Sequence, residues 1–458
     1  MTRESTAAAL LADLGTSSAN PAVVSWIART VTSGTDFDGY KINPFRVARD
    51  VGVSRLDATR AFLFATRLGI TDLTWDVHCP MCLSIPTYHR HLMDLPERAH
   101  CGFCTLRWDL DIEDQTEATF TVNPNVKAID QAQFAERTYA DDKAVLFRRL
   151  GREGRQPLTG VHFGEAGEGS ASLVLAPGEY KICMPGDDQG PVRLVASGAP
   201  SAGEQRIDLR VSESAHLTPR DIHVAPGPVR IEVTSAYPNP DWGLHIEHAG
   251  APKNWVSAAY ITSLQDFRDL FTGEFLAADR TFAIRNITLM FTDITGSTEM
   301  YERLGDARAF ALVQQHFELM TGVIRRREGG IVKTIGDAVM AAFPVNANAL
   351  MAAMEIQRGF AEVSPPLNQI AVKIGLHRGA TIAVTSNRML DYFGRTVNIA
   401  ARVQSASESG EVLATDAVTS DPSAAAWLTT SGIESRVRAV QMKGIAGEVR
   451  VASLKATR

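Results

Sequence analysis

No apolar run in the 458 residues approaches the roughly 18 that a membrane-spanning helix needs, so the sequence offers no candidate for a helical span. Nor is there an excess of positive charge. Lys and Arg number 46 against 52 Asp and Glu, a net charge of −6, which leaves no global footprint for nucleic acid. Cysteine is scarce: there are five, and four of them fall into two CxxC pairs. In a reducing compartment that arrangement points to metal before disulfide. The fifth, Cys183, reads as a small buried apolar residue. A secretory signal is missing from the opening MTRESTAAALLADLG, where Glu4 and Asp13 surround a very short apolar run; the expected compartment is the cytoplasm. What remains is an ordinary globular composition, 45% hydrophobic and 21% charged, in a length that suits about three domains.

Residues 1–76 read as a helical region. Asn43-Pro44 starts a helix carrying Phe45, Val47, Ala48 and Val51 before Gly52; Ser54 caps a second, with Leu56, Ala61, Phe62, Leu63, Ala65 and Leu68 before Gly69. Helix, glycine turn, helix is the layout of a helix-turn-helix, which serves either as a DNA reader or as a packing and protein-contact module. Between positions 25 and 75 seven basic residues stand against five acidic ones, a weak electrostatic footprint, so nucleic acid is not the expected partner. Residues 77–130 read as a zinc ribbon. Cys79 and Cys82 form one CxxC pair, Cys101 and Cys104 the other, with eighteen residues between them. Four thiolates close a tetrahedral shell, as a structural rather than catalytic Zn²⁺ requires. Alternating Trp108, Leu110, Ile112, Phe120 and Val122 predict a flanking strand pair.

Residues 131–252 break into short alternating runs at 172–175, 180–183, 192–196, 206–211, 222–225, 229–234 and 243–248, separated by Gly, Pro and Asp. That spacing predicts a small β-sandwich. A connector, 253–284, follows, with Ala258, Ile261, Leu264, Phe267, Leu270 and Phe271 at helical steps that predict one helix over 255–275.

The last region, 285–458, carries the chemistry. ITLMFTDITGST (residues 287–298) is an apolar run that delivers Asp293 to a small-residue turn holding Gly296, Ser297 and Thr298. A carboxylate beside a turn rich in backbone N–H groups suits a metal–triphosphate. A second carboxylate, Asp337, sits at the predicted tip of a hairpin formed by 331–335 and 338–343. Between them Phe310, Val313, Phe317, Met320 and Ile324 trace one face of a long helix. Strands and helices alternate without the GxGxxG fingerprint, which excludes a dinucleotide fold and leaves a mixed α+β domain.

FTDITGST, KTIGDAVMAAF, LDYFGRTVNIAARV and MKGIAG, in this order, resemble the catalytic domain of class III nucleotidyl cyclases over about residues 287–454. Residues 1–280 resemble the uncharacterised regions that precede it in some bacterial members. The resemblance implies a ferredoxin-like, palm-type core and an adenylate cyclase making cyclic AMP and pyrophosphate from ATP. It also implies two Mg²⁺ or Mn²⁺ ions on Asp293, Asp337 and the carbonyl of Ile294, with the Gly296, Ser297 and Thr298 amides facing the phosphates. Lys333 and Asp391 match the base-reading positions: a Lys donor with an Asp acceptor complements adenine, whereas guanylyl-type members carry Glu at the former. Asn398 would orient the ribose, Arg402 would stabilise charge near the α-phosphate, and Lys443 would reach the terminal phosphates, although Lys443-Gly444 also suits a plain turn. Because Lys333 and Asp337 lie four apart yet serve opposite ends of the nucleotide, the expected assembly is a homodimer with two shared sites. The competing readings are a guanylate cyclase and a DNA-binding regulator with a nucleotide-sensing C-terminal domain.

Overall fold

Asn20, Thr35, Asn43 and Ser54 each place a side-chain oxygen on a backbone N–H at the head of a helix, which satisfies donors that the first turn leaves without partners. The helices Pro21–Ser33, Asp36–Gly39, Pro44–Val51 and Arg55–Arg67 follow from these caps. The computed structural model describes residues 2–81, 83–102, 106–113, 115–134, 157–164, 166–187, 189–237, 243–249, 254–274, 276–277, 280–386, 389–445 and 447–455. Gly52, in the left-handed region at φ 72°, separates the last two helices, a conformation that costs glycine little. Phe62 sits against Trp26 and Phe120 at ring-centroid distances of 6.1 and 5.2 Å.

The boundary expected at residue 76 is not a break. Strand Thr71–Val77 crosses it and pairs along its whole length with Thr116–Val122, so helical region and cysteine region share one body. The expected strand pair also divides differently. Phe120 and Val122 lie in that long strand, whereas Trp108 lies in a separate hairpin of Arg98–His100 and Arg107–Asp109. Leu110 and Ile112 belong to neither, because Asp111 turns the chain by accepting the Glu113 N–H at 2.8 Å.

Two sheets then enclose one core. Strands Leu217–Thr218, Gln205–Val211, Gly227–Ser235 and Glu168–Leu175 form the first, in that order. Asp221–Val224, Val192–Ala196, Gly178–Cys183, Gly243–His248 and Pro157–His162 form the second. Ile207, Leu209, Val229 and Ile231 from one sheet meet Tyr180, Ile182, Leu194 and Ile246 from the other, as inward alternation requires. Cys183 is buried, as expected.

The chain divides into two units, the second formed by residues 258–458 with 91–94 and 111–113. The connector is not one helix. It breaks into α1 (Ala258–Ser263) and α2 (Gln265–Leu270), with Leu264 extended between them. The hydroxyls of Thr262 and Ser263 bond back to the carbonyls of Ala258 and Tyr260 at 2.7 and 2.6 Å, and such back-bonding bends helices.

From there run β1 (Phe282–Ile294), α3 (Ser297–Leu304), α4 (Asp306–Arg326), β2 (Gly330–Ile335), β3 (Ala338–Phe343) and α5 (Asn346–Glu362). They are followed by β4 (Val372–Ser386), β5 (Met389–Phe393), α6 (Arg395–Ser405), β6 (Val412–Thr415), the short helices α7 (Asp416–Thr419) and α8 (Pro422–Thr430), β7 (Glu434–Gln441) and β8 (Glu448–Lys455). The sheet order is β2-β3-β1-β4-β6-β8-β7, with β5 paired to β4. All neighbours are antiparallel except β4 and β6. Alternation along β6 assigns the two faces: Val412 and Ala414 join the core under α4 and α5, while Leu413 joins Val403 of α6 on the other side. Gly375 of β4 lets α6 approach, since a Cβ there would lie 2.1 Å from the Gln404 nitrogen. Phe310, expected on the apolar face of α4, is exposed; that face is Ala309, Leu312, Val313, His316, Met320, Val323 and Ile324.

His316 is fully buried, stacked on Phe360 at 5.4 Å, and neither ring nitrogen is hydrogen-bonded among the described residues. Burial pushes its pKa down from 6.5 to about 4, against a weaker opposing pull from Asp337. His377 is held down to about 4 by burial and by Arg395. Both rings take up a proton more readily when unfolded. The stability they contribute is therefore complete above pH 6.5 and is lost as pH falls towards 4. His316→Leu is expected to remove about 2 kcal/mol of this acid-dependent loss, read by denaturant unfolding at several pH values; an unchanged pH profile would refute it.

Candidate active site

β1 is a central strand, paired on one side with β3 and on the other with β4. It carries Asp293 to its C-terminal end, where the carboxyl faces Lys373 across the β1–β4 ladder. Gly296 then turns the chain at φ 69° and α3 begins at Ser297 with no side-chain cap. The small-residue turn expected from sequence is thus partly a helix N-terminus. Ser297 and Thr298 occupy its first turn, where amides lack helical partners and the helix dipole favours an anion.

Asp337 reaches the same place from the neighbouring hairpin, whose two-residue tip depends on Gly336 at φ 64°. Its Oδ2 is buried and has no hydrogen-bond partner among the described residues. Burial, and next the charge of Asp337, hold the Asp293 carboxyl above the usual range; Lys373 and the Ile294 N–H pull in the opposite direction. Two half-buried carboxylates that repel each other, one with an orphaned oxygen, fit a hard divalent cation such as Mg²⁺ or Mn²⁺.

A second pair lies on β2 and β5. Lys333 Nζ donates to Asp391 Oδ2 at 2.6 Å, and the Tyr392 N–H donates to Asp391 Oδ1 at 2.8 Å. Asp391 is buried, and the Lys333 ammonium lies 5.6 Å from the centre of the Phe393 ring. Asn398 and Arg402 are exposed, one turn apart on α6. Lys443 is exposed beyond β7, before Gly444 at φ 79°. The fold therefore brings together Asp293 with Asp337, and Lys333 with Asp391. Lys373, His316 and the connector residues Gln265 and Arg268 also bear on these pairs, and no sequence motif marked them.

In the N-terminal unit, Cys79 and Cys101 are buried in one cluster with Met81, Leu106 and Trp108. Cys82 and Cys104 lie outside the described residues, and among the described residues no three His, Cys, Asp or Glu side chains are grouped to hold a metal. His78 is buried, contacting Glu117 at 2.8 Å and the Leu83 carbonyl at 3.1 Å, while His100 is exposed.

Removing one carboxylate should relieve the repulsion and forfeit the cation. Asp337→Asn is expected to raise metal-free thermal stability by on the order of 1 kcal/mol and to lose the stabilisation that Mn²⁺ confers on the unaltered protein. An undiminished Mn²⁺ shift in the variant would refute the site.

Residues 281–453 match the family described as adenylate and guanylate cyclase catalytic domain, and residues 4–147 match a family of unknown function, DUF5939. An adenylate cyclase of Neurospora crassa is 29% identical over 150 residues, covering 28% of this chain and 6% of its own length. One of Lachancea kluyveri is 31% identical over 150 residues, covering 28% and 8%. The chain thus spans under a tenth of the length of these two curated relatives. A solved structure of adenylate cyclases from Trypanosoma brucei in their monomeric state is 26% identical, covers 37% of this chain and 89% of that one, and has a TM-score of 0.31. No helix among the described residues is long and apolar enough to cross a membrane. Residues 281–453 form an adenylate and guanylate cyclase catalytic domain, and every candidate residue from Asp293 to Lys443 lies within it.

Proposed function

We propose that this chain is an adenylate cyclase that converts ATP to 3′,5′-cyclic AMP and pyrophosphate at two equivalent sites of a homodimer. The observation that carries the reading is the contact between Lys333 and Asp391. Adenine presents an acceptor at N1 and a donor at N6, so an ammonium and a carboxylate side by side complement it; guanine reverses both positions.

In the reaction the ribose 3′-oxygen bonds to the α-phosphorus, the bond from that phosphorus to the bridging oxygen breaks, and pyrophosphate leaves with the electron pair. Water takes the 3′-hydroxyl proton. Two Mg²⁺ or Mn²⁺ ions held by Asp293, Asp337 and the Ile294 carbonyl would neutralise phosphate charge and favour the ionised 3′-oxygen. The Gly296, Ser297 and Thr298 amides orient the phosphates at the α3 N-terminus. Arg402 stabilises charge growing around the α-phosphate, Asn398 orients the ribose, and Lys443 meets the terminal phosphates.

The dimer reading rests on placement. Lys333 and Asp337 share one hairpin, and a nucleotide cannot use both in one chain if they serve its opposite ends. Asn398 and Arg402 make no side-chain hydrogen bonds or ion pairs among the described residues. Ile382 and Phe393, directly opposite on β4 and β5, are exposed with Met389, an apolar surface suited to a second copy. In the N-terminal unit, Cys79, Cys82, Cys101 and Cys104 are read as one structural Zn²⁺ site, tested by zinc content: Cys79→Ser should lose the metal.

Purified protein with ATP and Mg²⁺ or Mn²⁺ is expected to yield cyclic AMP; no cyclic product under any condition would reject the function. Lys333→Glu should lower kcat/KM for ATP by about a hundredfold while sparing GTP use. Mixing Asp293→Ala chains with Arg402→Ala chains should restore activity at one site per heterodimer. Absence of complementation, with dimers shown to exchange, would reject the shared sites.

A further inference from the structure

We infer that Gln265 and Arg268 of α2 are positioning residues for base selection: this six-residue helix, which precedes the matched catalytic domain, grips both strands that carry Lys333 and Asp391. The inference rests on reading that pair as the base contacts.

The first grip is on β2, the edge of the sheet, where backbone groups on the outer side have no strand to bond. The Gln265 N–H donates to the Gly329 carbonyl at 3.1 Å, and Gln265 Oε1 accepts the Ile331 N–H at 2.7 Å. Gly330 lies between these anchors, where a Cβ would come within 2.3 Å of the Ser263 carbonyl oxygen. Only glycine permits so close an approach. The β2–β3 register shifts between Ile331 and Lys333. α2 therefore holds the edge strand at the last regular position before the irregularity that sets where Lys333 points.

The second grip is on β5. Arg268 Nη1 donates to the Leu390 carbonyl at 3.0 Å, and its guanidinium lies 5.8 Å from the centre of the Tyr392 ring with Nη2 3.5 Å from the hydroxyl. Leu390 and Tyr392 flank Asp391, and both are buried. The helix is itself tied to α4, through ion pairs of Arg325 with Asp266 and Asp269.

One short element thus bonds to the strand of the donor and to the strand of the acceptor. Lys333 and Asp391 touch in this structure, and a purine edge that bonds both must open or flank that contact. How far the pair separates, and in which direction, is set by strands that α2 holds. Loosening either grip alters the match to a base more than it alters the chemistry at Asp293 and Asp337.

The test uses the full chain and 3′-deoxy-ATP and 3′-deoxy-GTP, which lack the attacking hydroxyl and so report binding without turnover. The unaltered protein is expected to prefer the adenine analogue; absence of any preference would overturn the base-pair reading and this inference with it. Gln265→Leu and Arg268→Met keep side-chain bulk while removing the polar grips. Each is expected to reduce the preference about tenfold, as misplacement of a recognition group does, with a rise in KM for ATP larger than the fall in kcat. Gln265→Glu, which keeps the acceptor for the Ile331 N–H, should retain the preference. A preference unchanged in both Gln265→Leu and Arg268→Met overturns the inference, even if both lose thermal stability, since that pattern marks a helix that only packs.

Discussion

Asp293 is held near Asp337, where burial already disfavours the charge of Asp293 and the surroundings do not fully offset the cost. Lys373 and the Ile294 amide help Asp293, but one Asp337 oxygen has no hydrogen-bond partner among the described residues. Holding two carboxylates this close requires rigid supports on both sides. That is the role of the central position of β1 and of the tight β2–β3 hairpin. The helices obey the same constraint. α3 aims its uncapped N-terminus at the carboxylate end of β1, and α4 and α5 cover the sheet beneath. The donor atoms on offer are all oxygen, the set that a hard divalent cation takes.

The polar pair on β2 and β5 is built on the opposite principle. Lys333 and Asp391 neutralise each other, and the backbone of Tyr392 completes the carboxylate. Nothing there calls for a metal; what it calls for is register. Among the described residues β2 is an edge strand and β5 pairs with β4 alone, so neither is braced there on both sides by strands. α2 braces both. The first unit has a comparable economy: the long pairing of 71–77 with 116–122 joins the helical and cysteine-bearing segments into one body, which agrees with a single family match across residues 4–147.

Much of this architecture is legible in the order of the residues. Caps at Asn43 and Ser54 and the hairpin around Gly336 and Asp337 occur where local signals place them, because each depends on residues within a few positions of one another. The misreadings share a different cause. Periodicity alone extended the connector through Leu264, where back-bonding from Thr262 and Ser263 breaks it. Phe310 fits a helical stripe yet faces outward, and His316, polar in sequence, fills the buried position on that helix. A stripe identifies a face, but only the neighbouring elements decide which residues at its margin are covered.

By itself the sequence determined the two carboxylates, the turn that follows Asp293, and the long helix and hairpin between and around them. Those are matters of residue type and short spacing, and short-range physics is sufficient for them. Tertiary structure decided the contacts themselves: Lys333 bonded to Asp391 across 58 residues, and, with no signal in the sequence, Arg268 bonded to the strand of Asp391 across 122. Contacts at such separations are chosen by sheet order and by helix packing, which depend on the whole core at once.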